Sequence, residues 1–134
     1  MAPVLVGDRD TGKWGVIDKT GRMVVDARLS GIGVFAEGLA GVRTGDSATD
    51  RNGYIDTAGK IVIDPQFNST CLFSEGLACV GIGDANSPDR FGYIDRAGKV
   101  IIKPQFSSAE KFSEGLAAVR IGDDRTGKWG VIYR

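Results

Sequence analysis

Lys13-Trp14-Gly15-Val16-Ile17-Asp18 is the stretch that decides the fold, because three later stretches repeat it with small changes. Each keeps a glycine followed by Val-Ile or Tyr-Ile, and the three are Arg51–Asp56, Arg90–Asp95 and Lys128–Tyr133. The glycines are separated by 38, 39 and 38 residues, and they are Gly15, Gly53, Gly92 and Gly130. A period of this length is typical of repeat arrays and pseudo-symmetric β folds. The 134 residues therefore predict a single repeat domain, with units at about 13–50, 51–89 and 90–127 and partial pieces at 1–12 and 128–134.

Composition argues against several classes of function. Lys and Arg number 17, as do Asp and Glu, so the chain lacks the basic field on which non-specific nucleic-acid binding depends. No apolar run approaches the roughly 20 residues that span a bilayer, so membrane insertion is not expected. Met1–Val6 has no basic region before a long apolar stretch, so no targeting signal is expected either. Histidine is absent, which removes the commonest general base and zinc ligand. We expect neither enzyme activity nor a cofactor.

The two cysteines fall in different columns of the repeat. Cys79 aligns with Gly41 and Ala118, which predicts a small buried residue, whereas Cys71 aligns with Gly33 and Glu110, which predicts exposure. We therefore expect two unpaired thiols. Free thiols favour a reducing compartment, and so the cytoplasm.

Each unit begins with a predicted β-hairpin. Its turn opens on an Asp, whose side chain can accept bonds from backbone N–H groups, and closes on a left-handed glycine three residues later. These glycines are Gly21, Gly59 and Gly98. The second strand, for example Val100-Ile101-Ile102, has no polar alternation, which predicts that both its faces are covered. Pro104 is expected to end that strand, as is Pro65 in the preceding unit.

A crossing segment then leads to a third strand. Phenylalanines are expected to hold the segment to the core at both ends, and they are Phe67, Phe73, Phe106 and Phe112. Residues 107–111 could form one helical turn. The third strands, such as Leu116-Ala117-Ala118-Val119-Arg120, carry small side chains that predict close approach of a neighbouring layer. Counted together, these segments give about 11 strands.

These motifs strongly resemble the WG, or KWG, repeat family, in which a Lys-Trp-Gly start is followed by Ile-Asp-x-x-Gly-Lys, Pro-Gln-Phe and Phe-Ser-Glu-Gly-Leu-Ala. The resemblance covers nearly the whole chain, although residues 27–29 replace Pro-Gln-Phe in the first unit. It implies a β-repeat array, common in bacterial proteins and often beside other domains, without a general catalytic activity.

The positions on either side of the signature glycine predict one packing slot that is filled from either side. They read Trp14 and Val16, Asn52 and Tyr54, Phe91 and Tyr93, and Trp129 and Val131. Volume compensation of this kind is typical of a close-packed core, so the two tryptophans should be largely buried. The alternative is a row of aromatic rings that stack on sugars or choline. In that case the binding residues would be Trp14, Tyr54, Phe91, Tyr93 and Trp129.

A glutamate recurs in a Ser/Ala-Glu-Gly turn. Glu37, Glu75 and Glu114 could form an acidic ladder for a ligand, but a structural role in binding backbone N–H groups is favoured. The Asp-rich segments 8–12 and 123–127 faintly resemble calcium loops. They lack a bidentate Glu at EF-hand spacing, so tight turns are favoured and no metal is expected.

We therefore predict an all-β fold of tandem three-stranded repeats in an open, superhelical or solenoid-like stack, with a closed propeller-like or trefoil-like body as the alternative. The predicted function is a non-catalytic scaffold for protein binding or assembly, and the alternative is a carbohydrate or cell-envelope binding module. Both ends carry an apolar hairpin without polar capping residues, so self-association through end strands is also expected.

Overall fold

The computed structural model describes residues 2–7, 12–44, 51–84, 87–122 and 127–134. Every regular element among these residues is a β-strand, which confirms the all-β prediction. Contacts divide the chain into two compact units, Met1–Gln66 and Phe67–Arg134.

Two antiparallel sheets lie in the first unit, which ends within the last strand of the second sheet. The first sheet has the linear order β1-β2-β3, with β1 (Ala2–Val6), β2 (Lys13–Ile17) and β3 (Met23–Leu29). The second has the order β4-β5-β6-β7, with β4 (Gly31–Ala36), β5 (Leu39–Thr44), β6 (Arg51–Asp56) and β7 (Ile61–Phe67).

Two further sheets lie in the second unit. One contains β8 (Ser69–Thr70), β9 (Ala78–Asp84), β10 (Ser87–Ile94) and β11 (Val100–Phe106) in linear order. The other has the order β12-β13-β14, with β12 (Ser108–Ala109), β13 (Leu116–Ile121) and β14 (Lys128–Tyr133). Since every order is linear, none of the four sheets closes into a barrel within the described ranges. The superhelical course of the array stays a prediction.

Each sheet crosses the boundary of a sequence unit. A strand that ends one unit pairs with the strand that begins the next, as Val80 of β9 pairs with Gly92 of β10. The crossing segment adds a short strand, so the complete sheets have four strands and the described residues form 14 rather than about 11. The expected helical turn at 107–111 is wrong, because Ser108 pairs with Arg120 and Ala109 pairs with Val119.

The Asp-Gly hairpin turns form as predicted. Asp18 Oδ1 accepts hydrogen bonds from the N–H groups of Thr20 at 2.9 Å and Arg22 at 3.1 Å, and Gly21 has a φ of 86°. The Thr20 hydroxyl also donates to this carboxylate, and that bond lowers the pKa of Asp18 below its ordinary value. The equivalent glycines also have positive φ, at 83° for Gly59 and 86° for Gly98. Hydrogen bonds to the Asp side chain and a glycine of positive φ therefore close each hairpin turn.

The expectation that both faces of the second strand are covered is wrong. Val100 and Ile101 are neighbours on β11, an edge strand, and so point to opposite faces, yet both are exposed. The strand also continues through Pro104 to Phe106 instead of ending at the proline. Proline is tolerated in edge strands and at irregular pairing, and the register between β10 and β11 shifts between Phe91 and Tyr93.

Each of the two compact units has its own apolar core. In the first, Val16 and Leu29 pack with Ala40, Val42 and Ile55. The core of the second unit is built from buried residues of successive hairpins, namely Leu77, Cys79, Tyr93, Phe106, Phe112, Ala117 and Val119. Small side chains of the third strands are buried in these cores, Ala40 in the first and Ala117 in the second, while the close approach of layers stays a prediction. The four phenylalanines of the crossing segments are each at most 5 % exposed, as predicted.

The cysteines correct the prediction of free thiols. Cys71 and Cys79 form a disulfide, and the backbone N–H of Cys71 donates to the Cys79 carbonyl oxygen at 3.0 Å. Cys71 is also half-buried against the second core rather than exposed. Column-by-column comparison missed the pair because Gly33 and Gly41, its counterparts in the first unit, cannot form a bond. Because the two thiols are bonded to each other, the cysteines no longer favour a reducing compartment.

Candidate functional site

Tyr93 serves the core rather than an open site. Its ring is fully buried and meets the ring of Phe112 edge-on, with 4.8 Å between the ring centroids. Its hydroxyl donates a hydrogen bond of 2.6 Å to the carbonyl oxygen of Glu110. Burial, together with the nearby Glu110 charge, raises the pKa of Tyr93 to about 12. The side chain is therefore neutral and held in place by its hydrogen bond.

The other aromatic candidates differ in exposure. Tyr54 is buried, whereas Trp14 and Phe91 are half-buried and pack against the core of their unit. Trp129, in contrast, is 55 % exposed. The expectation that both tryptophans are largely buried is thus wrong for Trp129. A buried ring has no free face for a sugar, so of the five predicted binding residues only Trp129 offers most of its surface to a ligand.

Trp129 belongs to an exposed surface on the last hairpin, formed by β13 and β14. Side chains of paired residues share one side of this hairpin, which we call the outer face. The pairs are Leu116 with Tyr133, Ala118 with Val131, and Arg120 with Trp129. Val131 is 62 % exposed and Tyr133 is 83 % exposed. The opposite side carries Ala117, Val119 and Ile132, which pack into the second core.

The face of the first hairpin, formed by β1 and β2, that corresponds to the outer face is covered by the following hairpin. Its strand β2 has the sequence Lys-Trp-Gly-Val-Ile, which β14 repeats residue for residue. Val16 is nevertheless fully buried, because Ala40 and Val42 of the following hairpin lie in the same cluster, whereas Val131 is mostly exposed. The same five residues are therefore covered in one place and open in the other.

The signature glycines also differ in whether neighbouring atoms leave room for a side chain. A Cβ atom on Gly92 would lie 2.7 Å from the backbone nitrogen of Pro104, and one on Gly53 would lie 2.7 Å from that of Pro65. No real Cβ tolerates such a contact, so the close approach of the neighbouring edge strand requires glycine there. A Cβ on Gly130 would meet no described atom within 4 Å.

The recurrent glutamates lie in tight turns with unusual backbone geometry. Glu37, Glu75 and Glu114 have φ of 52°, 54° and 54°, and the glycine after each also has positive φ. Two central residues with positive φ form the turn that suits the twist of a two-residue hairpin. Glu75 Oε1 accepts a hydrogen bond of 2.8 Å from the N–H of Gly115, which lies in the turn of the next repeat. The favoured structural role is thus seen at Glu75.

Other kinds of site find no support among the described residues. In these ranges no three His, Cys, Asp or Glu side chains come together as metal ligands. No helix long and apolar enough to cross a membrane occurs in them. Most of the two Asp-rich segments, 8–12 and 123–127, lies outside the described residues.

Sequence reasoning identified the apolar hairpin ends but not the composition of the outer face. The small side chains of the third strand point to a neighbouring layer, yet Leu116 at its start is 39 % exposed and lies beside Tyr133. Alternation along β14 was the available signal, because Trp129, Val131 and Tyr133 share one side of the strand. Ile132, on the other side, packs against the core.

Comparison with known proteins gives one family. The model described as WG containing repeat matches three successive segments, residues 14–46, 53–84 and 91–129, which together make up more than half of the chain. No curated protein and no solved structure matches the chain significantly.

Proposed function

Because the chain belongs to the family of WG containing repeats, we propose that it is a non-catalytic scaffold that binds protein through the outer face of its last hairpin. The observation that carries this proposal is the exposure of Trp129, Val131 and Tyr133 on one side of a single strand. Exposed aromatic and branched side chains that adjoin one another are typical of protein-binding surfaces. Arg120, at the edge of this face, adds a residue type enriched at such interfaces.

The roles of the polar groups in the repeats support a scaffold. Glu75 bonds a backbone N–H, Tyr93 bonds a backbone carbonyl and the Asp residues close hairpin turns. Each group is engaged in holding the repeat together. An acid and a base that share a reaction would instead need contrasting environments, and copies of one motif do not provide them.

A pull-down with immobilised full-length chain tests the proposal. Val131→Lys places a charge at the centre of the outer face, and Val34→Lys is the matched control because Val34 is 66 % exposed on β4. We expect specific partners to be lost with Val131→Lys and kept with Val34→Lys. Direct binding of a purified partner, measured by calorimetry, should weaken by about tenfold or more with the first variant only. Equal binding by all three proteins would overturn the proposal.

Carbohydrate or choline binding is the second candidate, and the exposed ring of Trp129 is the observation that favours it. Such binding would depend on the ring rather than on the apolar face as a whole. Trp129→Leu keeps an apolar side chain but removes the aromatic surface. Saturable glycan or choline binding that disappears in this variant would support the second candidate, whereas protein binding that survives it would support the first.

A further inference from the structure

We propose that the outer face binds the first hairpin of a second copy of this chain, so that copies associate head to tail. This inference rests on the proposed function, since it names the partner of the same face. It is carried by what covers the equivalent face in each unit of the molecule.

In the second compact unit, the face equivalent to the outer face is covered by the next hairpin. Cys79 and Tyr93 occupy the positions on the β9–β10 hairpin that Ala118 and Val131 occupy on the last hairpin. Both are fully buried, in a cluster with Ala117 and Val119 of β13. One hairpin is thus covered by the Ala-x-Val segment of the next.

The first unit shows the same cover on an identical sequence. Trp14 and Val16 correspond to Trp129 and Val131, and Val16 is buried in a cluster with Ala40 and Val42 of β5. The pairing is also the same, because Ala40 lies opposite Ile55 and Val42 opposite Gly53. The surface that fits a Trp-Gly-Val strand is therefore an Ala-x-Val strand paired with a Gly-x-Ile strand.

The first hairpin contains such a pair of strands. Ala2 lies opposite Ile17 and Val4 lies opposite Gly15, which is the register of the two covering hairpins. We call this side, with Val4, Val6 and Ile17, the front face. Val4 is only half-buried and Val6 is 51 % exposed, whereas Val42 and Val119 are each 1 % exposed in their covering positions. The described residues thus include one open face of each kind.

Because the outer face and the front face differ, their contact is heterologous, and further copies can add until a ring closes or a filament forms. Each contact involves one hairpin face, which is small compared with a stable interface. We therefore expect weak association that depends on protein concentration.

Sedimentation velocity of the full chain over a wide concentration range tests the inference. Val131→Lys blocks the outer face and Val4→Lys blocks the front face, so each variant alone should remain monomeric. An equal mixture should form a complex, because the first variant keeps its front face and the second keeps its outer face. Val6→Lys replaces Val4→Lys if the latter does not fold, and Val34→Lys is the control that should associate like the parent chain.

Three outcomes would overturn the inference. They are a monomeric parent chain at every concentration, a Val4→Lys variant that associates as strongly as the parent, and a mixture that forms no complex. If the parent is monomeric but Val131→Lys still loses another protein partner, the proposed function stands and only the identity of the partner is wrong.

Discussion

Individual residues in this protein are constrained by backbone contacts that recur from unit to unit. Gly92 is needed because the backbone at Pro104 lies against its Cα, and Glu75 accepts a positive φ while its carboxylate bonds Gly115. Gly130 repeats the position of Gly92, and Glu114 repeats the position of Glu75. Neither makes the corresponding contact among the described residues. The chain therefore supplies its own controls for single substitutions.

Gly92→Ala should destabilise the protein strongly, because the new Cβ forces the edge strand β11 away from β10. We expect a loss of more than about 2 kcal/mol in the free energy of unfolding, measured by denaturant titration. Gly130→Ala should change it by less than about 0.5 kcal/mol, since the added methyl group meets nothing nearby. Similar losses for the two variants would contradict the close approach at Pro104.

Glu75→Ala should cost more than Glu114→Ala. Both changes place alanine at the same positive φ, so the backbone strain cancels in the comparison. Only the first leaves the N–H of Gly115 without its carboxylate, which should cost about 1–3 kcal/mol. Chemical denaturation of both variants measures the difference. Equal stabilities would show that the bond between repeats adds nothing.

The stability contributed by Tyr93 should disappear at alkaline pH. Its folded-state pKa is raised from 10.0 to about 12, so the unfolded chain loses this proton at lower pH than the folded chain. The contribution is therefore complete below pH 10.0 and is lost as the pH rises towards about 12. Tyr93→Phe removes this ionisation. The unfolding free energy of the parent should fall more steeply than that of the variant in this interval, and parallel curves would argue against the raised pKa.

At the scale of elements, the hairpins are set by their own turns, while neighbouring elements decide which strands become edges. β7 and β11 each contain a proline and lie at the edge of their sheets. The short strands β8 and β12 form where the crossing segment pairs with the strand that follows it, which is β9 for β8 and β13 for β12. The Cys71–Cys79 disulfide joins the crossing segment between β7 and β9 to β9 itself.

Reduction of the Cys71–Cys79 disulfide should destabilise the chain without changing its fold. The bond closes a short loop, and the loss of this constraint should lower the unfolding free energy by about 2–3 kcal/mol on the chain-entropy estimate. The first and third units form the same elements without such a bond, so the circular dichroism spectrum should be unchanged. Alkylation of both thiols in the folded, untreated protein would show that the disulfide is absent.

At the scale of the whole molecule, position in the array determines burial. Val16 and Val131 lie in identical pentapeptides, yet the first is fully buried and the second is 62 % exposed. A charge should therefore destabilise the chain strongly at Val16 and hardly at all at Val131.

Val16→Lys should cost more than about 3 kcal/mol, because it buries an unpaired ammonium group in the first core. Val131→Lys should change the unfolding free energy by less than about 0.5 kcal/mol at a concentration where the chain is monomeric. Thermal and denaturant unfolding of both variants checks this. A Val131→Lys variant as unstable as Val16→Lys would show that the outer face is covered within one chain.

Much of this protein is determined by its sequence alone, because the responsible interactions act within a few residues. The repeat period, the Asp-Gly turns at Gly21, Gly59 and Gly98 and the buried phenylalanines of the crossing segments could all be predicted. In each case a local pattern of φ, hydrogen bonding or apolar side chains is enough.

Only the tertiary structure decided which copy of a motif is covered. Trp14 packs against the first core and Trp129 does not, although their neighbours in sequence are the same, because burial depends on the following hairpin and not on the strand itself. The exposed edge strand at Val100 and the Cys71–Cys79 bond were also decided at this level. Contacts between hairpins distinguish copies that the repeated sequence makes alike, and the outer face is open for this reason.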